Sequence, residues 1–119
     1  MIAPDLVLTA AHCSRWFSSI HVDRHDFSDT TDSYQIFEPI QTVFHPDFNV
    51  DTFRYDFAVV QLNGSVQNVE PVHLNDDENV PERGYPMAVI GWGAVDYSTK
   101  VSPVFPDVLQ RGTVRSVPN

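Results

Sequence analysis

The 119 residues contain a single cysteine, Cys13, so no disulfide can close within them. An odd cysteine points to a missing or intermolecular partner if the protein is secreted, or to a reduced, buried thiol if it is not. No stretch of apolar residues runs unbroken for the ~18–20 positions of a membrane-spanning helix, which excludes a membrane span of that kind. Positive charge is scarce. Seven Lys and Arg stand against 16 Asp and Glu, for a formal net charge of -9. A surface of that sign repels phosphate backbones and argues against nucleic acid as a partner, while favouring solubility. Met1-Ile2-Ala3-Pro4-Asp5 lacks a basic n-region and is interrupted by Pro4-Asp5, so it does not read as a signal peptide. There is no helical period of any length, no internal repeat and no low-complexity tract.

What is present is a series of short, β-prone runs separated by turn residues. An apolar run from Ile2 ends in Leu8-Thr9-Ala10-Ala11-His12-Cys13. Residues 16–22 read as a second strand, with Ile20 and Val22 on one face and His21 on the other. Residues 23–33 are polar and turn-rich, a surface loop. Residues 34–44 return to β character, with Ile36, Ile40 and Val43 as inward candidates. His45-Pro46-Asp47-Phe48-Asn49 breaks the pattern, because Pro46 removes a donor and biases His45 away from helix. Residues 55–62 and 71–74 are two further strand candidates. Between them Asn63-Gly64-Ser65 is a turn and an N-glycosylation sequon, which makes Asn63 a glycan acceptor if the chain is secreted. Residues 75–84 are acidic, contain Pro81 and Gly84, and suit an interdomain linker. Residues 87–93 form an apolar strand ending in Gly91-Trp92-Gly93, 94–106 a polar loop, and 107–114 the start of one more strand. The class is all-β, on a length sufficient for one ordinary domain with a sizeable core.

Two of these runs carry chemistry. A histidine beside small residues at the end of an anchoring strand has an uncovered ring, and Ala10 and Ala11 give His12 such neighbours. A carboxylate opening an apolar strand, as Asp56 does in Asp56-Phe57-Ala58-Val59-Val60-Gln61-Leu62, must be hydrogen-bonded or exposed. On its own, each residue has an ordinary reading: a structural strand histidine, and an aspartate capping a turn. Together the two stretches resemble the histidine and aspartate motifs of the trypsin-like, chymotrypsin-fold serine proteases, at the expected separation of about 45 residues. His45-Pro46-Asp47-Phe48 is similar to that family's His-Pro-x-aromatic turn, which makes His45 a structural or surface histidine. Ile90-Gly91-Trp92-Gly93 is similar to its Gly-Trp-Gly segment. The four motifs fall in family order from about residue 2 to residue 117.

The resemblance implies a double antiparallel β-barrel, here incomplete, with residues 1–77 forming most of the first barrel and 78–119 a linker and the start of the second. It implies that His12 is a general base and that Asp56 orients it, in the family on which this chemistry was worked out. It also implies that Cys13 pairs with a cysteine on an upstream strand that is absent from these residues, that Met1 is internal to a longer parent, and that the protein is extracellular. The family's nucleophile lies in a Gly-Asp-Ser-Gly-Gly stretch, and these residues contain none. Ser98, Ser102 and Ser116 lack glycine flanks and are not nucleophile candidates.

The function implied is peptide-bond hydrolysis on protein or peptide substrates, with protease inhibitors as further partners, in a parent of which this chain holds only the His and Asp. The chain alone is expected to be inactive. The alternative is a non-catalytic homologue that acts as a protein-binding or inhibitor-like module. No cofactor is implied. His21 and His25, with Asp23 and Asp26, invite a zinc reading, but four-residue spacing gathers ligands on a helix and not on a strand entering a loop. Asp26, Asp29 and Asp32 could offer oxygens to calcium, yet Arg24 stands where an acidic ligand is needed. No metal is assigned.

Overall fold

The computed structural model describes residues 1–95 and 103–117. The described residues contain seven strands and one short 3-10 turn, and the class is all-β as the sequence implies. The strands are β1 (Leu6–Thr9), β2 (Ile20–Val22), β3 (Gln35–Phe37), β4 (Pro39–Phe44), β5 (Ala58–Leu62), β6 (Pro86–Gly91) and β7 (Gln110–Arg115). All pairings are antiparallel, in a three-stranded sheet ordered β1-β5-β4 and two hairpin-like pairs, β2-β3 and β6-β7. Among the described residues none of these sheets closes into a barrel.

The chain divides into two compact units. One comprises Met1–Asp23 and Ser33–Leu74, the other Arg24–Asp32 and Asn75–Asn119. In the first unit β5 is the central strand. Ala58, Val60 and Leu62 alternate into the interior and are buried, along with Ala11 and Val66. That period of two is what a strand needs to put one face in a core. The β-branched valines suit the pleated surface between two neighbours.

Three expectations are corrected. Ile36, Ile40 and Val43 are not inward: they are 57%, 62% and 56% exposed. The sequence alternation of 34–44 is broken between two separate strands, and the register of β4 on β5 shifts between Pro39 and Gln41. Within β4 the slip changes which residues face inward, and Pro39 and Thr42 take the half-buried places. Ile36 lies apart on β3, paired with His21 of β2. Residues 71–74 form no strand. Val72 N–H donates to the Met1 carbonyl, a single bond where a ladder was expected. Finally, the 16–22 strand is confined to Ile20–Val22, because Ala11–Arg15 winds into the 3-10 turn, and Trp16 N–H closes it on the Cys13 carbonyl.

The second unit is built on the β6-β7 hairpin. The Arg24–Asp32 loop joins it through Phe27 N–H to the Asp107 carbonyl and Leu109 N–H to the His25 carbonyl. Trp92 donates its indole N–H to that same Asp107 carbonyl at 3.0 Å and packs its ring on Phe27. Ser116 is buried. Its hydroxyl accepts from Tyr85 N–H and donates to the Glu82 carbonyl, so it serves as a tie inside this unit. Ser98 and Ser102 lie outside the described residues.

Candidate active site

The site follows from register. β1 and β5 run antiparallel with Thr9 opposite Ala58, so the end of β1 lies beside the start of β5. Three residues past Thr9 is His12, and two before Ala58 is Asp56. The strand itself ends at Thr9, so His12 does not sit on it. After extended Ala10, the chain turns into the 3-10 segment, closed by Cys13 N–H on the Ala10 carbonyl and by Ser14 Oγ on the Ala11 carbonyl. The turn swings His12 across the strand end to face the carboxylate, while Ala11 is buried beneath it.

Asp56 is gripped at both oxygens. Oδ1 accepts the backbone N–H of His12 at 2.9 Å, and Oδ2 lies 2.6 Å from His12 Nδ1. The side chains are 20% and 47% exposed respectively, so the acid is sheltered and the base is open to solvent. Partial desolvation is the largest single influence on Asp56 and pushes its carboxyl up. The backbone and ring hydrogen bonds from His12, the His12 charge and the Ala11 N–H together outweigh it, and the carboxyl ends below its ordinary value. An ionised carboxylate only accepts, so the proton between them belongs on Nδ1 and the lone pair on Nε2. That Nε2 is 3.2 Å from Sγ of Cys13, a free thiol that can only donate to it. The edge of the His12 ring also meets Phe53, with centroids 5.4 Å apart and planes at 86°.

A main-chain hold of this kind and the Phe53 contact are not visible in motif spacing. Phe53 and Tyr55 both adopt positive φ, 52° and 54°. No residue type in that stretch advertises such a conformation, since bulky side chains avoid it. His45 lies outside the His12–Asp56 pair. It stacks on Tyr55 and meets Phe57 edge-on, in keeping with a structural role.

Three aspartates of the 23–33 loop are spent on local backbone and side-chain donors. Asp32 accepts the N–H groups of His25 and Asp26, Asp26 accepts both donors of Ser28, and Asp29 both donors of Thr31. His21 stacks on Tyr34. Among the described residues no group of three or more His, Cys, Asp and Glu side chains is arranged to hold a metal ion. Asn63 is exposed at the end of β5, with its side-chain carbonyl accepting Glu38 N–H.

A protein-family model described as Trypsin matches residues 1–119. The chain belongs to the trypsin family. Its all-β, unclosed sheets are therefore those of a partial trypsin-like domain. Within the trypsin family it is similar to the thrombin-like enzyme barnettobin of Bothrops barnetti, at 35% identity over 91% of this chain and 43% of that protein. It is similar to granzyme B(G,H) of Mus musculus at 27% identity, covering 91% and 45%. Kallikrein-5 of Homo sapiens is 28% identical, covering 92% and 37%. The chain thus spans less than half the length of these trypsin-family relatives. No helix among the described residues is long and apolar enough to cross a membrane.

Proposed function

We propose that these residues carry the base and the orienting acid of a secreted serine endopeptidase acting on protein or peptide substrates. One observation supports this most strongly: the 2.6 Å link from His12 Nδ1 to an Asp56 carboxylate that the main chain also holds. In this reading Asp56 keeps the Nδ1–H tautomer, and His12 Nε2 takes the proton of an attacking serine. The imidazolium so formed is steadied by the carboxylate across the same hydrogen bond, and Nε2 then returns the proton to the leaving amine. Residues 1–77 form the greater part of a first barrel, and 78–119 a linker and the opening of a second. Protease inhibitors that occupy such a site are the natural further partners. Asn63 is the glycan acceptor, and Cys13 forms a disulfide with an upstream cysteine of the parent. An extracellular setting belongs to the same reading.

The serine and the donors for the oxyanion are supplied by a Gly-Asp-Ser-Gly-Gly segment that the 119 residues do not contain. The 119-residue chain is therefore expected to hydrolyse neither a peptide nor a small activated ester. Ester turnover that disappears in His12→Ala would overturn that statement. Reading the downstream coding sequence tests the rest: the glycine-flanked serine is expected there, and a substituted serine would refute the endopeptidase reading.

A further inference from the structure

Asp56 is flanked by two aromatic residues, and both rings lie on one imidazole. His45 stacks on Tyr55, with centroids 4.8 Å apart and planes 9° apart, and meets Phe57 at 4.7 Å and 69°. The main chain repeats the connection, as His45 N–H donates to the Phe57 carbonyl at 3.1 Å. The imidazole is itself anchored, because Nδ1 accepts the N–H of Asp47 at 3.1 Å. This clamp sits where the backbone is least comfortable. Tyr55 has φ 54°, two residues after Phe53 at φ 52°. A left-handed conformation disfavours a residue with a Cβ by about 1–2 kcal/mol, and it persists only where surrounding contacts over-determine it. Asn49 holds the far end of the loop, its side-chain carbonyl accepting from Asp51 and Thr52 and its N–H reaching the Arg54 carbonyl. The near end has Phe57 N–H on the Tyr55 carbonyl and the His45 ring.

We propose that His45 is a positioning residue for the site: its ring clamps Tyr55 and Phe57, and so fixes the place from which Asp56 meets His12. The proposal rests on the His12–Asp56 reading above. It makes His45 neither a second base nor a passive surface residue. The flat face does the work, and the ring nitrogen serves only to hold that face still.

Two variants separate these parts. His45→Phe keeps a flat ring and loses the acceptor for Asp47 N–H. His45→Gln keeps an acceptor and loses the ring. The readout is the hydrogen-bonded Nδ1 proton of His12, followed by proton NMR at low field in the 119-residue chain. Val60→Ala serves as a variant destabilised in the core of β5, at a residue that makes none of the clamp's ring contacts. The clamp predicts that His45→Phe and Val60→Ala retain the low-field resonance and that His45→Gln loses it to exchange broadening. Retention in His45→Gln, or loss in His45→Phe, overturns the clamp and leaves the His12–Asp56 pair standing. Loss in Val60→Ala as well means that the resonance follows global stability, which also overturns it. Absence of the resonance from the unaltered chain refutes the His12–Asp56 reading itself, and the clamp with it.

Discussion

Replacing Asp56 by asparagine keeps the shape of the site and changes what one atom can do. Two of the donors that the carboxylate satisfies are on His12, the backbone N–H at 2.9 Å and Nδ1 at 2.6 Å. An amide has one accepting oxygen and one donating nitrogen, so it can satisfy one of the two. The backbone N–H cannot change its state, whereas an imidazole can move its proton. The amide oxygen therefore goes to the backbone, and the NH2 group faces Nδ1, which must become the acceptor. The ring proton moves to Nε2, where it points at Cys13 Sγ, 3.2 Å away. The lone pair that a general base needs is then on the buried side of the ring. Long-range 1H–15N correlation of the His12 ring should show the proton on Nδ1 in the unaltered chain and on Nε2 in Asp56→Asn. Asp56→Ala imposes neither and should give a mixture. In a longer chain that supplies the serine, Asp56→Asn should lower kcat by about 10⁴-fold, the loss known for the matching change in the archetypal member of this family. An Asp56→Asn variant that keeps its proton on Nδ1, or a kcat within tenfold of the parent, would refute the tautomer account.

Other outcomes follow from the same contacts. Val60→Ala removes two methyl groups from a fully buried site in β5. At about 0.8 kcal/mol per buried carbon plus an unrelaxed cavity, it should cost about 2 kcal/mol. Urea unfolding would show this as a lower midpoint at unchanged slope. Val72→Ala, at a site 61% exposed, should cost under about 0.5 kcal/mol, and equal losses at the two sites would contradict the placement of the core. For pH, the Asp56 carboxyl lies below its ordinary value when folded. Its contribution to stability is therefore complete above the unfolded carboxylate value of ~3.9 and is lost as pH falls through the folded value. A 13C titration of the Asp56 carboxyl should find its midpoint below that of a model aspartate. His12→Ala should raise it, and a midpoint unchanged by that variant would contradict the ring's share in the shift.

Much of this was legible before any coordinates, for a physical reason. His12 and Asp56 are brought together by antiparallel register, and register depends on strand lengths and turns that leave marks in sequence. What paired them in the sequence was the resemblance of the two stretches to the trypsin-family motifs, since each residue alone has an ordinary structural reading. β5 was legible too, because residues 55–62 are rich in β-formers; that Ala58, Val60 and Leu62 are its buried face was shown only by the fold. The fate of Ile40 and Val43 was not, since a register shift between Pro39 and Gln41 re-aims β4 without altering composition. Ile36 lies on the separate strand β3, which the unbroken run of 34–44 did not announce. Residues 71–74 misled for the opposite reason. Their alternation is real, but a strand needs a neighbour, and here a single bond to Met1 is what they find. The left-handed backbone at Phe53 and Tyr55 was invisible, because neither residue type favours it and the contacts that enforce it come from elsewhere in the chain.

The main-chain grip on Asp56 has a consequence for how such a site can be lost over generations. One carboxylate oxygen is held by the backbone N–H of position 12, an atom that every residue except proline possesses. Most replacements of His12 thus leave the acid anchored, whereas most replacements of Asp56 remove the acceptor of that backbone donor at once. Decay of the pair has a preferred order, imidazole first and carboxylate later. A descendant that had abandoned catalysis would carry, for a time, an ordered anion facing an empty place on the surface.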